Sequence, residues 1–348
     1  MKYSLNEKEE KALVALLDQH EKNIDYLLYL RDIVWEKEIK ANTEETQNEF
    51  EKRTSLFNNL EKEKPFPNSF VEKNILWDTQ LLNADDFKIN PYVKALNSLS
   101  FSENDWSLGY KTLKAYTLFP YQEEYHYAPN YLLKMGLAYF DKDYIYPSLS
   151  LFDREWMSLN PYEIRTMEIP IQLARGKVLT LGLGLGYFAF MAHLKENVKE
   201  IHIVEMDVEL IKAFEKYLLP LFPHREKIHI HKADAFNFIT NVKDKDYDFI
   251  FSDLWHDVSD GLPMYLKLKK HFNDFKYTTC TYWIEGSLIT YLRLLIIGVI
   301  KDEYYSNKTK YDEIQLLIKS QLNDYMISNT YDIDSLLNIG YLTKTLVF

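Results

Sequence analysis

The sequence predicts an α/β protein in which a doubly wound, mostly parallel sheet follows a helical N-terminal region and a short β segment. From Lys177 onward, short apolar runs typical of buried strands alternate with helical patterns. A glycine-rich loop separates the first of these strands from the first helix, and polar residues follow the other strands. Right-handed crossovers bring the carboxyl ends of parallel strands to one edge, so these polar residues are expected to share a site.

Four segments are expected along the chain. Residues 1–133 are predicted to be helical, residues 134–160 to form short β-strands, residues 161–290 to form the α/β domain, and residues 291–348 to form a helical extension. We find no internal repeat in the sequence. The boundaries follow from changes in the spacing of apolar residues.

The N-terminal prediction depends on helical periodicity. Leu13, Leu17, Ile24 and Leu28 recur at the spacing of one helix face, and a second helix is predicted after Thr43. Short helical pieces are predicted over 69–99, and strands only from residue 135 onward, where apolar runs become short and partly alternating.

Composition and charge exclude several classes of protein. The 348 residues carry a net charge of −11, which repels a phosphate backbone, so general nucleic-acid binding is not expected. The only cysteine, Cys280, cannot form an intramolecular disulfide. The most apolar stretch, Ser287–Ile300, contains Arg293 and is too short to cross a bilayer of ~30 Å. With no secretory signal visible, we expect a soluble cytoplasmic protein without a membrane partner; it could form an oligomer.

The glycine loop is the most informative motif. Gly182, Gly184 and Gly186 follow a buried-type strand and precede a helix that starts at Tyr187. Glycine allows sharp turns and close approach of a ligand, and the helix N-terminus offers free N–H groups. Read from Gly184, the loop fits a dinucleotide such as NAD. Read from Gly182 and combined with later acids, it fits S-adenosyl-L-methionine.

The acids after the second and third strands favour the second interpretation. Glu205 can accept hydrogen bonds from both ribose hydroxyls, and Met206 can lie flat on the adenine. Asp234 can accept the exocyclic amine of adenine, while the N–H of Ala235 serves a ring nitrogen. A dinucleotide site does not require an acid at Asp234, so we expect S-adenosyl-L-methionine as the cofactor. Tyr187 is included among the cofactor-binding residues.

The fourth strand ends in a run of residues that suits a reaction site. Asp253 can hold the sulfonium or take a proton from a substrate amine, and it is the candidate catalytic residue. Trp255 and His256 are candidates for the wall of the substrate pocket, with Trp255 able to attract the positive charge. His256, Asp257 and Asp260 match no defensible metal site, so no metal is expected.

The stretch from about Ser148 to Glu285 resembles the class I S-adenosylmethionine-dependent methyltransferases, and within them the spermidine-synthase-like branch. The matching segments are Val178–Gly186, Ile203–Asp207, Ala233–Phe236 and Tyr247–Asp253. The resemblance implies that residues 161–290 form a Rossmann-like cofactor-binding domain. It also implies that the glycines, Glu205 and Asp234 hold the adenosyl group, and that Asp253 helps to deprotonate an amine where the family makes polyamines.

The sequence departs from the family at three positions. Thr180 replaces an acid common in methyltransferases, Leu185 replaces an Asp in the glycine loop of polyamine synthases, and His256 replaces their second acid. We therefore expect an enzyme that transfers a methyl group from S-adenosylmethionine to an unidentified small or macromolecular acceptor. The alternatives are an aminopropyltransferase that uses decarboxylated S-adenosylmethionine, a cofactor-binding or regulatory module that has lost its chemistry, and, last, a nicotinamide oxidoreductase.

Overall fold

The N-terminal part of the chain is helical, as predicted. The structure is a computed structural model and describes residues 1–36, 48–127 and 131–338. Its first elements are β1 (Lys2–Tyr3), α1 (Glu7–Leu30), α2 (Glu49–Glu63), α3 (Ser69–Asp78), β2 (Thr79–Leu82), α4 (Ala84–Lys88) and α5 (Pro91–Leu96). Asparagine caps begin the first two helices: Asn6 accepts two backbone N–H groups of α1, and Asn48 forms a capping box. The predicted start of a second helix after Thr43 falls in 37–47, outside the described residues.

The β-structure before the parallel sheet is more extensive than predicted. Its strands are β3 (Phe101–Glu103), β4 (Trp106–Leu113), β5 (Phe119–Pro120), β6 (Tyr125–Tyr127), β7 (Leu132–Lys134), β8 (Leu137–Phe140), β9 (Tyr144–Leu151) and β10 (Arg154–Ser158). The prediction that residues 1–133 are helical is therefore wrong at the short strands β1 and β2 and from Phe101 onward. Buried Trp106 and Leu108 alternate with less buried neighbours, a period-2 pattern too short to stand out in the sequence.

These strands form small sheets that meet the α/β domain. An antiparallel sheet has the order β10-β9-β4-β3, a three-stranded sheet has the order β2-β8-β5, and β6 pairs with β7. Strands β8, β9 and β10 agree with the short strands predicted for residues 134–160. Because β4 and β10 carry Trp106 and Met157 to the edge of the next domain, this layer contributes to the candidate site.

The α/β domain is confirmed. Its elements are α6 (Pro161–Thr166), α7 (Glu168–Leu173), β11 (Gly176–Leu181), α8 (Tyr187–His193), β12 (Val198–Glu205), α9 (Val208–Ala213), β13 (Ile228–Lys232), α10 (Ala235–Ile239), β14 (Phe249–Ser252), α11 (Val258–Phe272) and β15 (Thr279–Tyr282). The five strands are all parallel, in the order β13-β12-β11-β14-β15. Strand β14 is buried along its whole length, as expected for a sheet covered on both faces. The order reverses at β11, so ligands are expected at its carboxyl end.

The chain continues through helices that pack back onto its beginning. They are α12 (Glu285–Tyr305), α13 (Glu313–Gln321) and α14 (Thr330–Leu336), with β16 (Met326–Ile327) between the last two. Helix α12 packs against α1 and α11, and it crosses the boundary predicted at residue 290. Residues 339–348 of the predicted extension lie outside the described residues.

In the part of the chain that the structure describes, no helix combines the length and apolar character needed to cross a membrane.

Candidate functional site

A cavity of about 450 Å³ opens at the carboxyl edge of the parallel sheet, where the sequence predicted a site. The predicted site residues that line it are Gly182, Gly184, Glu205, Met206, Asp253, Trp255 and His256. Strands β4 and β10 add Trp106, Trp156 and Met157 from the antiparallel sheet. The site therefore lies between the two layers, and the sequence interpretation did not place the residues of the antiparallel sheet at the site.

The glycine loop is shaped by close contacts as well as by turns. Gly182 has a φ of +97°, and a Cβ atom there would lie 2.0 Å from the carbonyl oxygen of Asp253. Gly186 has a φ of +78°, and its Cβ would lie 2.6 Å from the Phe214 ring. Gly186 begins α8 and does not line the cavity. Gly182 thus allows the loop to contact the residue that follows β14. Gly186 allows the start of α8 to pack closely on Phe214, which directly follows α9.

Met157 connects the antiparallel sheet to the glycine loop. Its Sδ accepts the N–H of Leu185 at 3.1 Å, and its side chain lines the cavity beside Gly184.

Thr180, at the position where methyltransferases carry an acid, is buried and donates its hydroxyl to the carbonyl of Gly182 at 3.3 Å. This hydrogen bond from Thr180 therefore stabilises the start of the glycine loop.

Glu205 ties the glycine loop to the loop after β12. Its Oε2 accepts the N–H of Leu183 at 3.2 Å, and its Oε1 accepts the N–H groups of Met206 and Asp207, each at 2.8 Å. Burial raises the pKa of Glu205 although these N–H groups oppose the effect. The carboxylate is therefore fixed in orientation at the cavity wall, with remaining lone pairs that can accept ligand hydroxyls.

Met206 and Asp207 follow Glu205 at the cavity. Met206 is 67% exposed, so its flexible side chain can cover a flat ring that enters the site. Asp207 begins α9 by accepting the N–H groups of Glu209 and Leu210. Its second oxygen accepts Nε1–H of Trp106 at 3.2 Å, which fastens β4 to the α/β domain.

Three other predicted cofactor-binding residues lie outside the cavity lining. Asp234 caps α10 by accepting the N–H of Asn237 at 2.8 Å, and Ala235 is buried behind it. The hydroxyl of Tyr187 accepts a hydrogen bond from Asn90 Nδ2 at 2.9 Å, and only 2% of the residue is exposed. The structure thus gives Asp234 and Tyr187 structural partners, and their roles in cofactor binding stay predictions.

Asp253 is a carboxylate held inside the protein and open to the cavity. Its backbone N–H continues the sheet by donating to Leu181 at 2.9 Å. Among the described residues, none donates a hydrogen bond to its side chain. Burial raises the pKa of Asp253 to about 7. A group with this pKa can accept a proton at neutral pH, which fits its predicted catalytic role.

The residues after Asp253 form a wall and a helix cap. Trp255 is buried and packs over Gly261, and its Nε1 has no hydrogen-bond partner among the described residues. The N–H of His256 contacts the carboxylate of Asp260, which completes a capping box with Asp257 at the start of α11. His256, Asp257 and Asp260 thus form hydrogen bonds that stabilise the start of α11.

A second cavity of about 620 Å³ shares Glu163, His256 and Trp283 with the first. Glu163 on α6 accepts hydrogen bonds from the N–H and the hydroxyl of Ser158, both at 3.1 Å. Burial raises the pKa of Glu163 well above its usual value. The sequence interpretation did not place Glu163 or Trp283 at the site, because each comes from an element that meets it only in the folded protein.

The lining of the first cavity is strongly acidic. Its carboxylates are Glu155, Glu163, Glu205, Asp207 and Asp253. Among the described residues that line it, none is Lys or Arg, although Lys111 pairs with Glu155 at 2.9 Å from outside the lining. This arrangement favours a ligand that carries positive charge.

Residues 167–278 match the family model of the spermine/spermidine synthase domain, so the predicted resemblance is confirmed over this segment. A spermidine synthase from Thermotoga maritima is 18% identical, over 42% of this chain and 55% of that one, with a TM-score of 0.33. A ribosomal protein L11 methylase from Lactobacillus delbrueckii subsp. bulgaricus is 20% identical, over 30% and 53%, with a TM-score of 0.23. The chain thus spans about half the length of these structures. No curated protein matches the chain.

Proposed function

We propose that this protein transfers an alkyl group from an adenosyl-sulfonium nucleoside to an amine. The observation that carries the proposal is the environment of Asp253, which follows the carboxyl end of β14 and lines an acidic cavity. Its pKa is raised to about 7, and no described residue donates a hydrogen bond to its carboxylate. A sulfonium is already an activated leaving group, so the protein mainly has to orient two ligands and accept one proton.

The donor's adenosyl end is assigned to the glycine loop and Glu205. Glu205 is fixed by three N–H groups, which leaves its carboxylate oriented toward ribose hydroxyls. Met206 would cover the adenine from the solvent side. The positive sulfur would then lie among carboxylates, which stabilise it without a counter-ion from solution.

The acceptor is assigned to the second cavity. Its amine nitrogen would reach the donor past Glu163 and His256, which line both cavities. The nitrogen attacks the carbon on sulfur, the carbon–sulfur bond breaks to leave a neutral thioether, and the amine proton passes to the Asp253 carboxylate. Glu163 is buried and its pKa is raised, so its carboxyl group would contact the acceptor amine through a hydrogen bond and not through a full charge.

Aminopropyl transfer from decarboxylated S-adenosylmethionine is the first candidate reaction. The matched domain is named for spermine and spermidine synthases. The cavity also lacks a lysine or arginine among its described lining residues, and such a residue would be the natural partner for the carboxylate of intact S-adenosylmethionine. A donor with an amine and no carboxylate suits this lining better.

Methyl transfer from S-adenosylmethionine is the second candidate, and it rests on two residues. By the resemblance, polyamine synthases carry an Asp in the glycine loop, whereas Leu185 here is fully buried. They carry a second acid where this chain has His256. This chain has neither of these two acids, and that difference from the polyamine synthases favours methyl transfer.

Calorimetric titration separates these possibilities. The ligands are S-adenosylmethionine, S-adenosylhomocysteine, decarboxylated S-adenosylmethionine and NAD. Tighter binding of the decarboxylated form supports aminopropyl transfer, and tighter binding of the first two supports methyl transfer. Mass spectrometry of mixtures with diamines then identifies the transferred group. Binding of NAD alone, or of none of the four, contradicts the proposal.

The variant Asp253→Asn tests the proton acceptor. We expect turnover to fall by about 10²–10⁴-fold, the usual contribution of general-base catalysis, while the affinity for the donor changes far less than in Glu205→Ala. Wild-type turnover in Asp253→Asn would contradict the assigned role.

A further inference from the structure

Four polar side chains stand together on two neighbouring strands, away from the site described above. Glu200 and His202 lie on β12, and His229 and His231 lie on β13. His202 is paired in register with His229. Residues two apart on a strand share a face of the sheet, so all four project on the same side. Glu205 on β12 is an odd number of positions from His202, and its side chain therefore belongs to the opposite face.

Three of these side chains converge on one point. Nε2 of His202 lies 3.3 Å from Oε2 of Glu200, and Nε2 of His229 lies 3.8 Å from the same oxygen. One ligand atom from each of the three residues lies within 4.8 Å of the others. Tetrahedral Zn²⁺ with bonds of about 2.0–2.1 Å holds its ligand atoms about 3.3 Å apart, so small side-chain rotations suffice.

The fourth residue orients the central histidine. Nδ1 of His202 and Nε2 of His231 lie 2.7 Å apart, and the two rings are stacked with an interplanar angle of 11°. When Nδ1–H of His202 donates to His231, Nε2 of His202 carries the lone pair that binds a metal. That Nε2 atom is buried, and the nearby polar atom described above is Oε2 of Glu200, 3.3 Å away.

The neighbouring charge does not occupy the convergence point. Nζ of Lys177 lies 3.5 Å from Oε1 of Glu200, the oxygen that faces away from the histidines. The rings of Tyr247 and His202 pack at an interplanar angle of 74° with their centroids 5.4 Å apart. The glutamate thus has one oxygen paired with a lysine and one oxygen directed at two imidazoles.

We propose that Glu200, His202 and His229 bind one Zn²⁺ ion, with His231 as the positioning residue for His202 and water as the fourth ligand. Two imidazoles with one carboxylate suit zinc, whereas Mg²⁺ and Ca²⁺ prefer oxygen ligands alone. The ion would join the edge strand β13 to β12. This proposal does not depend on the proposed function.

The test uses the untagged full-length chain after treatment with a chelator. Calorimetric titration with Zn²⁺ alone should show one site per chain, and Co²⁺ should give the visible absorption bands of a tetrahedral site. His229→Ala and Glu200→Gln should each weaken Zn²⁺ binding by at least about 10–100-fold. Both residues are partly exposed, so these variants should fold normally, which circular dichroism checks. His271→Ala is the matched control, since His271 is an exposed histidine on α11.

Thermal unfolding with and without Zn²⁺ gives an independent readout. We expect Zn²⁺ to raise the Tm of the wild type and of His271→Ala, and to leave the Tm of the two site variants nearly unchanged. The proposal is overturned if the wild type binds no Zn²⁺, or if the site variants bind it as tightly as the control. Donor binding plays no part in either measurement, so failure here leaves the proposed transferase function intact.

Discussion

The carbonyl oxygen of Asp253 occupies the space that a side chain on Gly182 would need. The two residues directly follow the neighbouring parallel strands β14 and β11, and a Cβ atom on Gly182 would lie 2.0 Å from that oxygen. This oxygen belongs to the backbone, and the N–H of Asp253 is hydrogen-bonded to Leu181, so the carbonyl cannot rotate away as a side chain could. The glycine loop and the candidate catalytic carboxylate are therefore positioned by a single contact.

Gly182→Ala should strongly destabilise the protein. The alanine would have both a φ of +97° and a clash with backbone, and we expect a loss of ~2–5 kcal/mol in the free energy of unfolding. Urea denaturation measures the loss. Gly109→Ala in β4 is the control, because its Cβ would meet no atom within 4 Å, and it should change the stability by less than ~1 kcal/mol. Equal effects of the two variants would contradict the assigned contact.

Glu205→Ala should weaken donor binding by ~2–4 kcal/mol, the energy of one or two charge-assisted hydrogen bonds. The expected measurement is calorimetry with the sulfonium ligand that binds best to the wild type. Glu215→Ala, which removes an exposed glutamate from the same domain, should bind as the wild type does. If Glu205→Ala folds and keeps full affinity, the ribose assignment is wrong.

Asp253→Asn should raise the stability at neutral pH. Asp253 has a pKa of about 7 in the folded protein and an ordinary, lower pKa when unfolded, so the folded state binds more protons between these values. Its stability then falls as pH rises from about 4 to 7, whereas the asparagine has no charge to bury. We expect the variant to gain ~1–3 kcal/mol above pH 7 and to lose this advantage toward pH 4. Thermal unfolding of both proteins from pH 4 to 8 checks this, and a variant less stable at every pH contradicts it.

Binding of a sulfonium ligand should release protons at pH 7. Positive charge beside Asp253 lowers its raised pKa, and a group that is half protonated then gives up about half a proton. Calorimetry in phosphate and in Tris detects the release, because the two buffers differ in their heat of protonation. Asp253→Asn should abolish this part of the buffer dependence. A wild-type binding heat that is identical in both buffers would place the ligand's charge away from Asp253.

The parallel sheet and its loop could be predicted because their signals are local. A strand, a glycine loop and a helix follow one another over Val178–Phe190, and an acid ends each of the next strands. Glu205 and Asp253 accordingly line the cavity. Asp234, predicted by the same reasoning, instead caps α10, since an acid at the start of a helix satisfies backbone N–H groups whether or not a ligand binds.

The rest of the site depends on contacts between residues far apart in the sequence. Trp106 reaches the cavity through a hydrogen bond to Asp207, 101 positions away. Trp283 is held by Thr166, 117 positions away. Neither residue belongs to a motif, and the strand that carries Trp106 was interpreted as part of a helical region. Packing of the antiparallel sheet on the α/β domain brings Trp106 to the cavity, and packing of α6 beside β15 brings Trp283 there.

The pairing of β1 with β16 joins the two ends of the described chain. Lys2 donates its N–H to the carbonyl of Tyr325, and Ser4 donates to that of Ile327, both at 2.9 Å. Ile327 is fully buried, so this short pair forms part of the core. Helix α1 also packs against α12 and α14. We therefore expect the start of the chain and its final helices to unfold together, because detachment of β1 removes the partner of β16.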